Sequence, residues 1–189
     1  MKASLLATAL LTSALSLPAA ATTVVPLADD GAWLSFDVDE LTSLSGGLEW
    51  IDLDGEDLAF SITVSQDSVL RVVDLGFQGD RFEVSISDGV TTQVLGTTSA
   101  VANPDVEFTD IVLDPDTAWA DSHYSKGSFL IGQGTWTVTG VLVQSADFGG
   151  TPLNATFGAV SLTAVPVPSA GLLMLGAGGF LGLFVRRRA

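Results

Sequence analysis

Asp114, Asp116 and Asp121 fall just ahead of the only imidazole, His123, in the run Asp-Pro-Asp-Thr-Ala-Trp-Ala-Asp-Ser-His. Hard cations take about six to eight oxygen ligands, so three carboxylates with neighbouring carbonyls suit calcium as a cofactor. Loop aspartates also form turns by bonding their own backbone, and both roles stay open for this run. Trp119 lies between Asp116 and Asp121, and Tyr124 follows His123, which makes Trp119 and Tyr124 candidates for stacking on a sugar ring.

Other carboxylates are grouped too. Asp52-Leu-Asp-Gly-Glu-Asp57 looks like a calcium loop, but an EF-hand needs glycine sixth and glutamate twelfth. Gly55 is fourth and Thr63 is twelfth, so that motif fails. Asp37 and Asp39 share one face of a strand end, and Asp74 and Asp80 flank Gly76-Phe77-Gln78-Gly79. Asp80 can hold that loop through backbone amides or pair with Arg81 or Arg71. A glycoside hydrolase needs two carboxyl groups about 5–10 Å apart across a cleft, which spacing along a chain cannot show. With one His, a Ser-His-Asp triad would have to be built around His123. Zero cysteines removes disulfides, thiolate metal sites and a thiol nucleophile. No catalytic residue is assigned, and the chain is expected not to be an enzyme.

The elements that must position these groups are strands. Alternation at period two recurs along the chain, broken by Gly, Asp, Asn and Pro. Leu58, Phe60, Ile62 and Val64 fall on one face, with Ala59, Ser61 and Thr63 on the other. Phe82, Val84 and Ile86 alternate with Glu83, Ser85 and Ser87, and Asp88-Gly89 then signals a hairpin. Runs at 33–38, 69–75, 94–95, 106–113, 128–131, 135–143 and 156–164 bring the total to about ten strands. One helical turn is expected at 115–120. The pattern predicts an all-β domain at 22–164, an antiparallel β-sandwich of jelly-roll type. Trp33 and Trp136 lie in alternating strands and read as core; Trp50 is a further candidate for an exposed aromatic.

Charge narrows the partners. From Thr22 to Val165 there are three basic residues, Arg71, Arg81 and Lys126, against all 22 acidic ones, a formal charge of −19. No basic patch exists to neutralise phosphates, so nucleic acid is excluded as a partner, and anionic lipid head groups would repel the domain.

Both ends read as addresses. Lys2, the apolar stretch Ala3 to Leu17 and Pro18-Ala19-Ala20-Ala21 make a secretory signal peptide over 1–21. Ala19 and Ala21 form the A-x-A site, so signal peptidase should cut after Ala21. Segment 165–189 opens with Val165-Pro166-Val167-Pro168-Ser169-Ala170, continues as a glycine-leucine stretch to Val185, and ends in Arg186, Arg187 and Arg188 before Ala189. A helix from Pro168 to Val185 would be about 27 Å long, enough for a single transmembrane pass. The arginines then stay cytoplasmic, leaving the domain outside.

This tail resembles the PEP-CTERM sorting signal of Gram-negative bacteria over about its last 25 residues. Pro166 and Pro168 match the two prolines, Ser169 and Ala170 the small residues that follow, and Arg186 to Arg188 the basic end. Val167 replaces the family's glutamate, as in valine-proline-x-proline variants. The resemblance implies an exosortase-type membrane enzyme as processing partner and export through the inner membrane to the periplasm, cell surface or medium. Asp74-Leu-Gly-Phe-Gln-Gly-Asp-Arg-Phe-Glu-Val84, Gly96-Thr-Thr-Ser99 and Ser125-Lys-Gly-Ser-Phe-Leu130 are similar to a group of secreted ectodomains that carry such tails. The expected function is a non-enzymatic surface or matrix protein associated with extracellular polysaccharide. The alternatives are a cation-assisted carbohydrate-binding module and a jelly-roll glycoside hydrolase.

Overall fold

The computed structural model describes residues 22–101 and 111–166. The signal segment with Ala19 and Ala21, the tail from Val167 through Arg188, and most of the expected strand 106–113 lie outside the described residues. The strands are β1 (Thr22–Pro26), β2 (Asp30–Asp39), β3 (Asp57–Val64), β4 (Ser68–Leu75), β5 (Arg81–Ser87), β6 (Thr92–Thr97), β7 (Lys126–Ile131), β8 (Gly134–Gln144), β9 (Asp147–Phe148), β10 (Thr151–Pro152) and β11 (Ala155–Ala164). One helix, α1 (Pro115–Ala120), falls on the expected turn. Asp114 caps it and Pro115 opens it, the arrangement that satisfies free amides without needing Pro to donate. Among the described residues no helix is long and apolar enough to cross a membrane.

Strand pairing is nested. β2 pairs with β11, β3 with β8, β4 with β7 and β5 with β6, all antiparallel. Cross-pairs β11·β4 and β8·β5 then join these into two sheets, β2-β11-β4-β7 and β3-β8-β5-β6. Numbered one to eight along the chain, the main strands run 1-8-3-6 and 2-7-4-5, a long four-pair hairpin rolled over on itself. That is a jelly roll. β1 adds a parallel edge strand beside β3, which the alternation did not predict, and β9–β10 is a small separate hairpin.

The inward rows of the two sheets meet in one apolar core. Leu58, Phe60, Ile62 and Val64 of β3 and Phe82, Val84 and Ile86 of β5 face Leu70 and Val72 of β4 and Val160 and Leu162 of β11. Phe36 of β2 crosses the gap to meet Phe82 edge-on at 5.1 Å. A second, smaller cluster covers the outer face of the four-stranded sheet, where α1 and Tyr124 pack on Val73, Leu75 and Ala159.

Trp50 corrects the expectation of an exposed aromatic. It is fully buried, stacked on Phe36 at 4.1 Å. Its backbone wedges between β8 and the start of β3, accepting from Leu58 N–H and donating to Gly140 O. That carries the side chain into the core. Trp136 is half-buried at the margin of that core, and Trp33 is half-buried against the second cluster.

Candidate functional site

The run at 114–124 does not assemble a cation site. Asp114 Oδ2 accepts from the backbone N–H and the hydroxyl of Thr117. Asp116 Oδ1 accepts from Trp33 Nε1 at 2.9 Å, stapling α1 to β2. Asp121 Oδ1 accepts from His123 N–H and lies 2.8 Å from His123 Nδ1. These bonds hold Asp114 and Asp121 below the usual carboxylate range, the first chiefly through the Thr117 hydroxyl, the second chiefly through the His123 amide. Each carboxylate is turned to its own local partner, and among the described residues no group of three metal-ligating side chains gathers. The three aspartates are a cap, a staple and a turn, which corrects the calcium set proposed for them.

Tyr124 is corrected as well. It is 3% exposed, its hydroxyl donates to Gly76 O at 3.0 Å, and its ring belongs to the second core. A ring whose faces are packed has none left for a sugar. Trp119 is half-buried. It tilts against Trp33 at 5.8 Å, with the Arg71 guanidinium 5.3 Å and the Lys126 ammonium 6.0 Å from its ring centre. Lys126 Nζ also donates to the carbonyls of Trp119 and Asp121, closing the C-terminal end of α1. Two of the domain's three cations are therefore spent on holding Trp119 in place. This cluster locks the helix to the sheet.

A cleft does form elsewhere, from acids that lie far apart in sequence. Asp37 and Ile51 exchange backbone bonds of 3.0 and 2.8 Å, bringing the end of β2 against the 42–53 connection. The result is a hollow of about 310 Å³ lined by Asp37, Asp39, Thr42, Asp52 and Leu53 together with Phe77, Thr156 and Phe157. A second hollow of about 250 Å³ shares Asp37, Ile51, Asp52 and Leu53 with it.

The three carboxylates differ in their commitments. Asp52 Oδ1 accepts from Asp54 N–H and Glu56 N–H, and its Oδ2 from the Thr23 hydroxyl at 2.7 Å. The Thr23 bond is the main reason its carboxyl titrates low. Asp39 Oδ1 accepts from Leu41 N–H at 2.9 Å. Asp37 titrates high instead, first because it is partly buried and second because Asp39 is beside it. Asp37 and Asp52 line one hollow together with the half-buried Phe77 and Phe157, so hydrogen-bonding carboxyl groups and aromatic side chains meet in one place, a combination suited to a sugar. Sequence spacing paired Asp37 with Asp39 but gave no sign that Asp52 would join them, because the Asp37–Ile51 bridge is a long-range contact.

No family profile matches the chain, and no curated protein matches it in sequence. In fold it is similar to the pre-peptidase C-terminal domain of a collagenase from Bacillus anthracis, at 5% identity and a TM-score of 0.40, over 78% of this chain and all of that one. It is also similar to CorA, a surface-associated copper-binding protein of Methylomicrobium album BG8, at 8% identity and a TM-score of 0.40, over 77% of this chain and all of that one.

Proposed function

We propose that this protein is an exported, non-enzymatic surface or extracellular-matrix protein. Signal peptidase removes 1–21, an exosortase-type enzyme handles the PEP-CTERM-like tail, and the β-sandwich associates with extracellular polysaccharide through the Asp37 cleft. The observation that carries this reading is how the sandwich ends. β11 stops at Ala164, and Val165 is tied down on both sides, its N–H donating to Asp67 O and its carbonyl accepting from Gln66 Nε2. Pro166, the first residue of the sorting motif, is exposed. A processing enzyme can then reach the motif without opening the fold.

Intact mass of the cell-associated and released protein tests both ends at once. The expected cell-associated mass lacks 1–21, and the expected released mass also lacks the segment after the proline motif. A released protein that keeps Arg186 to Arg188 would leave the tail a plain anchor.

A second reading, hydrolysis of a glycan, is favoured by the contrast between Asp37, which titrates above its ordinary value, and Asp52, which titrates below it, since environments that push two carboxyls apart are how such a pair divides acid and base roles. Two facts favour binding instead: both oxygens of Asp52 are occupied by the turn and by Thr23, and Asp39 is engaged with Leu41. Release of reducing ends from an extracellular polysaccharide, abolished by Asp37→Asn, would establish the second reading.

A further inference from the structure

The inward-facing rows of both sheets run into acids at the same end of the sandwich. Along β4 the inward row reads Leu70, Val72, Asp74, and from the residue just before β5 it reads Asp80, Phe82, Val84, Ile86. Asp74 is 0% and Asp80 1% exposed. The two sit close together, with Asp80 N–H donating to Asp74 Oδ2 at 3.3 Å. Two carboxylates so placed are costly to bury unless a positive charge or shared protons accompany them.

No basic side chain of the domain answers them. Arg81 donates to Thr98 O and Gln144 Oε1, Arg71 lies over Trp119, and Lys126 holds the end of α1. Asp80 Oδ1 accepts from Ala146 N–H at 2.7 Å, and the hydroxyls of Thr156 and Ser145 also reach its carboxylate. Asp74 Oδ1 is different. It is sealed from solvent and has no hydrogen-bond partner among the described residues. Asp74 thus keeps one carboxylate oxygen, in a side chain more than nine-tenths buried, without a hydrogen bond beside a second buried carboxylate, while the amides of Asp80, Gly79 and Leu75 answer the rest of the group.

We propose that Asp74 and Asp80 hold a hard divalent cation of the calcium class, bridging the two sheets at this end of the sandwich. The donors on hand are all oxygens: the two carboxylates, and beside Asp80 the Thr156 and Ser145 hydroxyls, whose protons go to Leu75 O and Ala146 O. The chain has no thiol, and its one imidazole is bonded to Asp121. Oxygen-only sets select calcium or magnesium over softer metals, and calcium sheds its water more readily on entering a buried position. The site needs only the folded domain and stands apart from the export reading.

The test uses the full chain purified in detergent, stripped with a chelator, and titrated with calcium chloride or magnesium chloride at matched ionic strength. One calcium per chain should bind by calorimetry, raise the melting temperature above the magnesium value, and slow amide exchange at Gly79, Asp80 and Ala146. Asp74→Asn and Asp80→Asn should each weaken calcium binding at least tenfold while melting cooperatively without metal, and Asp116→Asn should leave binding intact. Absence of saturable calcium heat in the parent overturns the proposal, whatever the variants do. So does calcium binding that leaves those three amides unprotected or survives both substitutions.

Discussion

The indole of Trp50 lies against the α-carbon of Gly140, so closely that a Cβ built there would come 2.2 Å from Trp50 Cε2. Gly140 occupies an inward position of β8 between Val138 and Leu142, where an apolar side chain would ordinarily pack. Its missing side chain is the space that Trp50 fills. Gly140→Ala should therefore destabilise the domain by about 1–3 kcal/mol through overpacking, despite the better strand propensity of alanine. Urea unfolding measures it, and an unchanged midpoint would show that Trp50 has room to move.

Acid should help one part of this protein. Burial pushes the Asp80 carboxyl up to about 6, and burial with the neighbouring Asp80 charge pushes Asp74 well above the carboxylate range. A carboxyl whose pKa is raised by folding contributes stability in full below its unfolded value near 3.9. That contribution fades as pH climbs through the folded value. In metal-free protein, stability measured against Asp80→Asn should fall by about 2 kcal/mol between pH 4 and pH 7, most of it below about pH 6, and then level off. A difference that is flat with pH, or rises, would contradict the buried-acid assignment.

Self-repulsion of a −19 domain should be visible in salt. At about 0.1 M ionic strength the screening length is near 10 Å, shorter than the domain is wide. Sodium and potassium chloride should raise the melting temperature equally from low ionic strength. Unequal shifts would point to a specific monovalent site instead of screening.

The aspartates around α1 should behave as structure. Asp114→Ala removes the cap on Thr117 and should lower the melting temperature slightly. Asp116→Asn keeps a carbonyl for Trp33 Nε1 and should leave it unchanged. Neither effect should depend on calcium. A calcium-dependent loss on either substitution would revive a cation role for this loop.

How far the chain could be read in advance depended on the range of the physics involved. Leu58 to Val64 and Phe82 to Ser87 declared their strands and their inward faces because alternation at period two is a property of a few consecutive residues. Asp114-Pro115 declared a helix start for the same reason, since a cap acts within one turn. Sandwich class and the placement of the breaks followed. The nesting of strand pairs, the parallel edge strand β1, the burial of Trp50 and Tyr124, and the meeting of Asp37 with Asp52 were decided only by packing remote segments together. Asp74 and Asp80 show the limit most clearly. Each continues an apolar row by parity, yet an aspartate beside a glycine-rich loop looks like any solvated turn former. Only when two sheets close over both does the cost of removing them from water turn a pair of ordinary loop acids into the most demanding polar site in the core.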